Sequence, residues 1–353
     1  MALALHVAAL RRPQLVERLY SRGLFPRLAG LLGRAAGALP FALAEPLAIL
    51  AALSLLVLLA RLGLSLRRGP FWPALLEATL TLAFLAGGVY LVFLLVWGFN
   101  YHRLPFAALA GLDARPPSPA ELSEVAEELV EEANRLRVPL PEDAGGVMRL
   151  PGGAREAFTR APRGFDTAAR LHPLLGSPAC PPKAAILSPL LSALGISGIY
   201  SPFTAEPLVN RELPDPDLPF NAAHELAHAL GFAREDEANY LGSLTCRMHP
   251  DGDFRYSGAL AASAYVLAAL AWSDETAAHE LHERRTASVR RDLAALEAWS
   301  SRHEGWLSRA SRRVNDTYLR SQGQEDGLRS YGRFVDLLVA EKRARGRVPG
   351  PRR

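Results

Sequence analysis

The segment PFNAAHELAHALGFAREDEANYLGSL, residues 219–244, decides how the rest of the chain is read. His224 and His228 stand four residues apart, so on a helix they share one face with their Cβ atoms about 6 Å apart. At that separation two imidazoles can converge on one metal ion. Glu225, one step round the helix, projects beside the metal rather than into its coordination sphere. There it can take a proton from a water that the metal activates. The HExxH spacing is thus a mechanism expressed as geometry, and chance produces it roughly 0.01–0.02 times in a chain of this composition. From Ala222 to Ala233 the other side chains are Ala, Leu, Phe and Gly. Burying two imidazoles and a carboxylate in such a helix is costly unless a divalent cation satisfies them.

A site that keeps its fourth position open for water needs a third protein ligand. Gly231 is expected to end the first helix in a left-handed conformation, and Arg234-Glu235-Asp236-Glu237-Ala238-Asn239 to start a second. Three acids in a first turn also suit the helix dipole. Glu235 and Glu237 lie about 200° apart on the helix, so only one can face the metal. Glu235 shares its face with Ala238, small enough for close helix approach, and with Asn239, which can hydrogen-bond a histidine ring from outside the ligand shell. Glu235 is the expected third ligand and Glu237 its rival. Zinc is the expected ion.

Upstream the composition changes. Pro46 to Ala60 carries no charge, and Leu62 to Leu66 extend that run past Arg61. The total of about 20 residues matches a hydrocarbon core of ~30 Å. A second uncharged run covers Ala78 to Tyr101, with Trp97 and Tyr101 placed for a membrane interface. Two transmembrane helices within residues 41–102 are therefore expected, after a membrane-proximal segment 1–40 and before a water-facing domain 103–345 with a basic tail 346–353. Arg61, Arg67 and Arg68 between the spans place that turn in the cytoplasm by the positive-inside rule. Arg18, Arg22, Arg27 and Arg34 ahead of the first span argue the opposite way. The apolar opening MALALHVAAL has neither the charged leader nor the cleavage site of a signal peptide.

The water-facing part reads as helical. Ser118-Pro119-Ala120-Glu121 is a capping box, and Leu122, Val125, Leu129, Ala133 and Leu136 follow at helical spacing. Glu121 to Glu132 supply its solvated face. Residues 138–182 are rich in Pro, Gly and Ala, with a short helix expected near 164–172. Ala259 to Trp272 reads as a core helix, and 274–313 as one or two amphipathic surface helices. His279-Glu280-Leu281-His282-Glu283 lacks the metal spacing and reads as a solvated helix face.

Two cysteines, Cys180 and Cys246, exclude a cysteine-ligated zinc site; they form either one disulfide or two separate buried thiols. The net charge of +4 comes without a basic stripe interleaved with aromatics, so nucleic acid is not an expected partner. Arginine beside apolar spans suits anionic lipid headgroups instead. The bilayer is the expected partner.

HELAH followed by Glu235-x-x-Ala238-Asn239 resembles the gluzincin signature. More closely, VERLYSRGLFP (16–26), GIYSPFTAEPLVN (198–210), residues 219–244, FRYSG (254–258) and VNDTYLRSQGQEDGLRSYGRFVDLL (314–338) resemble a bacterial membrane family known as domain of unknown function 3810. The resemblance implies a mainly α protein: N-terminal transmembrane helices followed by a mostly helical, gluzincin-type zincin-like domain with a small β element. It also implies one further span ahead of the VERLYS block. That span would put residues 16–40 outside, the Arg61–Arg68 loop inside, and the catalytic domain outside the bacterial cell membrane. In zincins an extended edge segment often pairs with the substrate backbone. Ile199 to Phe203 is the candidate here, with Tyr200 near the cleft, and Tyr256 or Tyr331 is a candidate donor to an oxyanion. The expected activity is a membrane-anchored zinc metallopeptidase with Glu225 as base and a peptide or protein substrate. The alternative is a catalytically silent sensor or scaffold with a structural metal.

Overall fold

In the computed structural model, which describes residues 2–322 and 333–347, the chain opens with helix α1 (Ala2–Leu10). A wide π-type winding over Val16–Leu24 runs into α2 (Phe25–Gly37). The apolar runs form α3 (Ala44–Arg68) and α4 (Phe71–Val96), joined through Gly69 and Pro70. Their 25 and 26 residues rise about 38 Å, long enough for a bilayer core of ~30 Å. Within their most apolar windows 0% and 6% of the residues are buried inside the protein, so among the described residues most of these Leu-rich surfaces are left uncovered. A third helix, Gly252–Ala271, has the length and apolarity to cross a membrane, but 61% of its window is buried. It packs on α5 (Pro119–Arg137) in the domain core, as the sequence predicts.

The second apolar helix ends earlier than expected. After Val96 the chain tightens into a 3-10 turn, Gly98–His102. Trp97 and Tyr101, expected at the lipid boundary, are instead 6% and 7% exposed. Their rings pack on each other and on Tyr200, His228 and Tyr318. That contact buries more aromatic surface than an interfacial position would.

α5 starts with the expected capping box of Ser118 and Glu121 and buries Leu122, Val125, Leu129 and Ala133. The region 138–182 holds more structure than its composition suggests: Gly153–Arg160 and Pro162–Ala169 are helical, the second starting at a proline that needs no hydrogen-bonded N–H there. A small sheet follows, β1 (Lys183–Ala184), β2 (Gly198–Ser201) and β3 (Glu206–Val209), in the order β1-β3-β2. β1 is parallel to β3; β2 is antiparallel, with Gly198 opposite Val209 and Ser201 opposite Glu206. Helix α6 (Ser188–Leu194) connects β1 to β2.

The quoted segment forms α7 (Leu218–Ala229) and α8 (Glu235–Arg247). Between them Gly231 adopts φ +84, the left-handed turn that an L side chain resists. Gly252–Ala271 is α9, followed by Glu275–Glu283, α10 (Ala287–Arg302), α11 (Trp306–Ser321) and α12 (Arg333–Arg347). The region 274–313 thus carries parts of three helices rather than one or two. His279, Glu280, His282 and Glu283 are exposed, as expected. Cys180 and Cys246 are both buried free thiols.

The segment ahead of α3 belongs to the same packed body as the domain. Glu17 and Arg103 form a two-point ion pair at 2.9 and 3.0 Å, buried on both sides, and Arg103 also donates to Gly231 O at 3.0 Å. The first N–H groups of α3 have no partner within their own helix. Glu206 Oε1 and Oε2 accept from Leu43 N and Ala44 N at 3.0 and 2.8 Å, and Lys183 neutralises the carboxylate. In return Glu45, in the first turn of α3, accepts from Ile186 N and Leu187 N. α3 is pinned to the sheet by two carboxylates working in opposite directions.

Candidate metal centre

α7 carries its two histidines on one face, and the turn at Gly231 brings the start of α8 back beside them. His224 Nε2 and His228 Nε2 are 3.1 Å apart. Glu235 reaches them at 3.4 Å from His224 and 3.9 Å from His228. A tetrahedral zinc with Zn–N bonds of ~2.0–2.1 Å separates its ligand atoms by about 3.3 Å. His224, His228 and Glu235 are the one group of His, Cys, Asp or Glu ligand atoms, among the described residues, that converge this closely.

His228 is held in one tautomer. His228 Nδ1 lies 2.8 Å from Phe232 O, and a carbonyl can only accept, so the proton sits on Nδ1. Nε2 is left with a lone pair pointing at the other two groups. Burial pushes the His228 pKa down to about 4. Burial also opposes a charge on His224, but the hydrogen-bonding contact with Glu235 and the charges of Glu225 and Glu235 raise its pKa overall. The two ring nitrogens face each other at 3.1 Å, with the Glu235 carboxylate beside both.

Glu225 is 4% exposed, and its Oε2 has no hydrogen-bond partner. Burial, with Glu235 nearby, raises its pKa to about 8 against the opposing influence of His224. An adjacent cation would draw that value down again. β2 passes directly over this carboxylate: a Cβ on Gly198 would lie 2.5 Å from Glu225 Oε1. β2 is the sheet's edge, pairing only with β3 among the described residues. Ile199 and Phe203 beside it are 48% and 47% exposed.

Glu237 lies outside this group. Its Oε1 accepts from Phe106 N at 2.7 Å, tying the start of α8 to the segment that follows α4, and burial raises its pKa to about 7. Asn239 is buried and lies against His224, supporting the protonated ring.

The tyrosines fall elsewhere than expected. Tyr200 is buried with its ring 5.6 Å from Trp97. It therefore backs the indole that packs on His228 and does not face the cleft. Tyr256 is fully buried, and its hydroxyl donates to Asp292 at 2.5 Å, beside the Arg137–Asp292 ion pair. That hydroxyl is committed to the core and is not free to meet an oxyanion. Tyr331 lies outside the described residues. Tyr318 on α11 and Tyr265 on α9 both lie near enough to feel the Glu235 charge. The Tyr318 ring packs on Tyr101 and Phe93, and burial together with Tyr101 and the Glu235 charge sets its pKa, with a net rise. Trp97 completes the wall, its Nε1 donating to His228 O at 3.2 Å. No spacing in the sequence links residues 97 or 318 to residue 228.

The family model described as "Protein of unknown function (DUF3810)" matches residues 20–339. No curated protein and no solved structure matches the chain.

Proposed function

We propose, from the premise that this chain belongs to the family of proteins of unknown function DUF3810, that it is a membrane-embedded, metal-dependent hydrolase acting on peptide bonds. The observation that carries the reading is the convergence of His224, His228 and Glu235 near the buried carboxylate of Glu225, whose Oε2 has no hydrogen-bond partner among the described residues. The three ligands suit zinc, which when bound supplies a Lewis acid for a carbonyl and an activated water. Glu225 takes the proton of the attacking water and returns it to the leaving amine. His228 is held in the ligand tautomer by Phe232 O. The free edge of β2 orients an extended substrate chain through backbone hydrogen bonds. α3 and α4 anchor this machinery in the bilayer. The basic end of α3, with Arg61, Arg67 and Arg68, is cytoplasmic, and the domain lies on the opposite face, outside the cell membrane.

The test is Glu225→Gln in the full chain, purified in detergent. The variant is expected to bind one metal ion per chain, as the wild type does, and to lose all cleavage of a peptide library. His224→Ala is expected to lose the metal as well. A Gln variant as active as the wild type would refute the mechanism.

A further inference from the structure

We infer that the peptides cut at this site are juxtamembrane segments, the first residues of another membrane protein's chain outside the bilayer. The inference rests on the reading above, that the site is a peptidase and that α3 and α4 cross the membrane.

The depth of the site carries it. The uncharged part of the second apolar run begins at Ala78, and about 20 helical residues cross a core of ~30 Å. That count ends at Trp97, the residue after α4. Trp97 donates to His228 O at 3.2 Å, and the two rings are 6.1 Å apart. The ligand helix therefore sits one indole away from the hydrocarbon boundary.

The second apolar helix is not alone in fixing this position. α3 begins on the same side as α4 ends, and its first N–H groups are held by Glu206 on β3. Glu206 pairs in register with Ser201, the last residue of β2. The start of one span and the end of the other thus bracket the edge strand and the ligand helix, and the site cannot swing away from the lipid surface. α11 continues the pattern. Tyr318 packs on Phe93 in the last turn of α4, and Val314, its i−4 neighbour on the same face, is 70% exposed. An exposed valine next to a span end, with Arg313 one residue before it, suits a headgroup layer better than bulk water.

An extended chain advances about 3.3 Å per residue. A chain leaving a transmembrane helix therefore clears a headgroup layer of ~6 Å and reaches the site within about its first five residues. A free backbone edge at β2 favours a peptide over a lipid, which offers no strand to pair with it.

To test this, the full chain is reconstituted in vesicles of phosphatidylethanolamine and phosphatidylglycerol. A randomised peptide library is presented in three ways: joined directly to a transmembrane helix, held off that helix by a rigid proline-rich spacer of about 20 residues (~60 Å), or free in solution. Glu225-dependent cleavage is expected in the direct set, at least about tenfold faster than in the spaced set. Both tethered sets share one bilayer, so local concentration does not produce the difference. Equal rates in all three sets would overturn the inference and leave the peptidase reading standing. No Glu225-dependent cut in any set would remove the peptidase reading, and the inference with it. Glu225-dependent release of a fatty acid or headgroup from the vesicles, without a peptide cut, would overturn it in favour of a lipid substrate.

Discussion

Gly198 is the residue on which the proposed general base depends most directly, because any side chain there would occupy the space of the Glu225 carboxylate. Gly198→Ala is expected to leave metal content unchanged and to lower turnover about 100-fold, the scale on which a displacement of ~1 Å is felt. Wild-type turnover in that variant would mean that Glu225 is not the group moving the proton. A second residue gives a pH signature away from the metal. His249 Nδ1 accepts from Asp251 N, Nε2 donates to Arg160 O, and the ring stacks on Phe254. This arrangement requires the neutral ring, and burial lowers the His249 pKa. The folded state therefore binds fewer protons than the unfolded one, and stability present above pH ~6.5 is lost as the pH falls below that value. His249→Gln is expected to flatten this part of the stability–pH profile, measured by denaturation in detergent. The convergence of His224 and His228 was legible because a four-residue spacing puts both on one helix face. Glu235 was legible as the nearer acid from the face it shares with Ala238 and Asn239, but what holds Glu237 was not, since that is Phe106 N, 131 residues away. Tyr256 misled for the same reason: its partner Asp292 comes from another helix.

Arg103 joins three elements at once: the winding over Val16–Leu24, the turn after α4 and the loop after α7. Arg103→Met would strand Glu17 as an uncompensated buried charge and is expected to cost about 3–5 kcal/mol. Adding Glu17→Gln is expected to recover part of that loss, and denaturant midpoints of the two variants measure it. If Arg103→Met were as stable as the wild type, the N-terminal segment would not be docked as described. At this scale the sequence was informative where one element could be read alone. Apolar length marked α3 and α4, periodicity and a cap marked α5, and Gly231 marked the break between α7 and α8. The end of α4 was misplaced because Trp97 and Tyr101 look like interfacial residues until His228 and Tyr318 are folded against them.

For the molecule as a whole, the metal is expected to act as a structural ligand too. A cation that binds only the folded chain stabilises it by about 2.7 kcal/mol when free metal is roughly 100-fold above Kd. Chelation is expected to lower the unfolding midpoint, zinc to restore it, and His224→Ala to abolish the response. A chelator-insensitive midpoint in the wild type would argue against any resident ion. The assembly of residues 2–37 onto the domain was the least legible feature, because Glu17, Phe25 and Gly33 find their partners only in three dimensions. One practical consequence follows from Trp97 and Arg103. Trimming the chain ahead of residue 104 to obtain a water-soluble fragment would discard the indole beneath the ligand helix and the guanidinium on Gly231 O. Such a fragment would keep every residue that performs the chemistry and lose the scaffolding that holds them in line, so a silent truncation would say nothing against the intact protein.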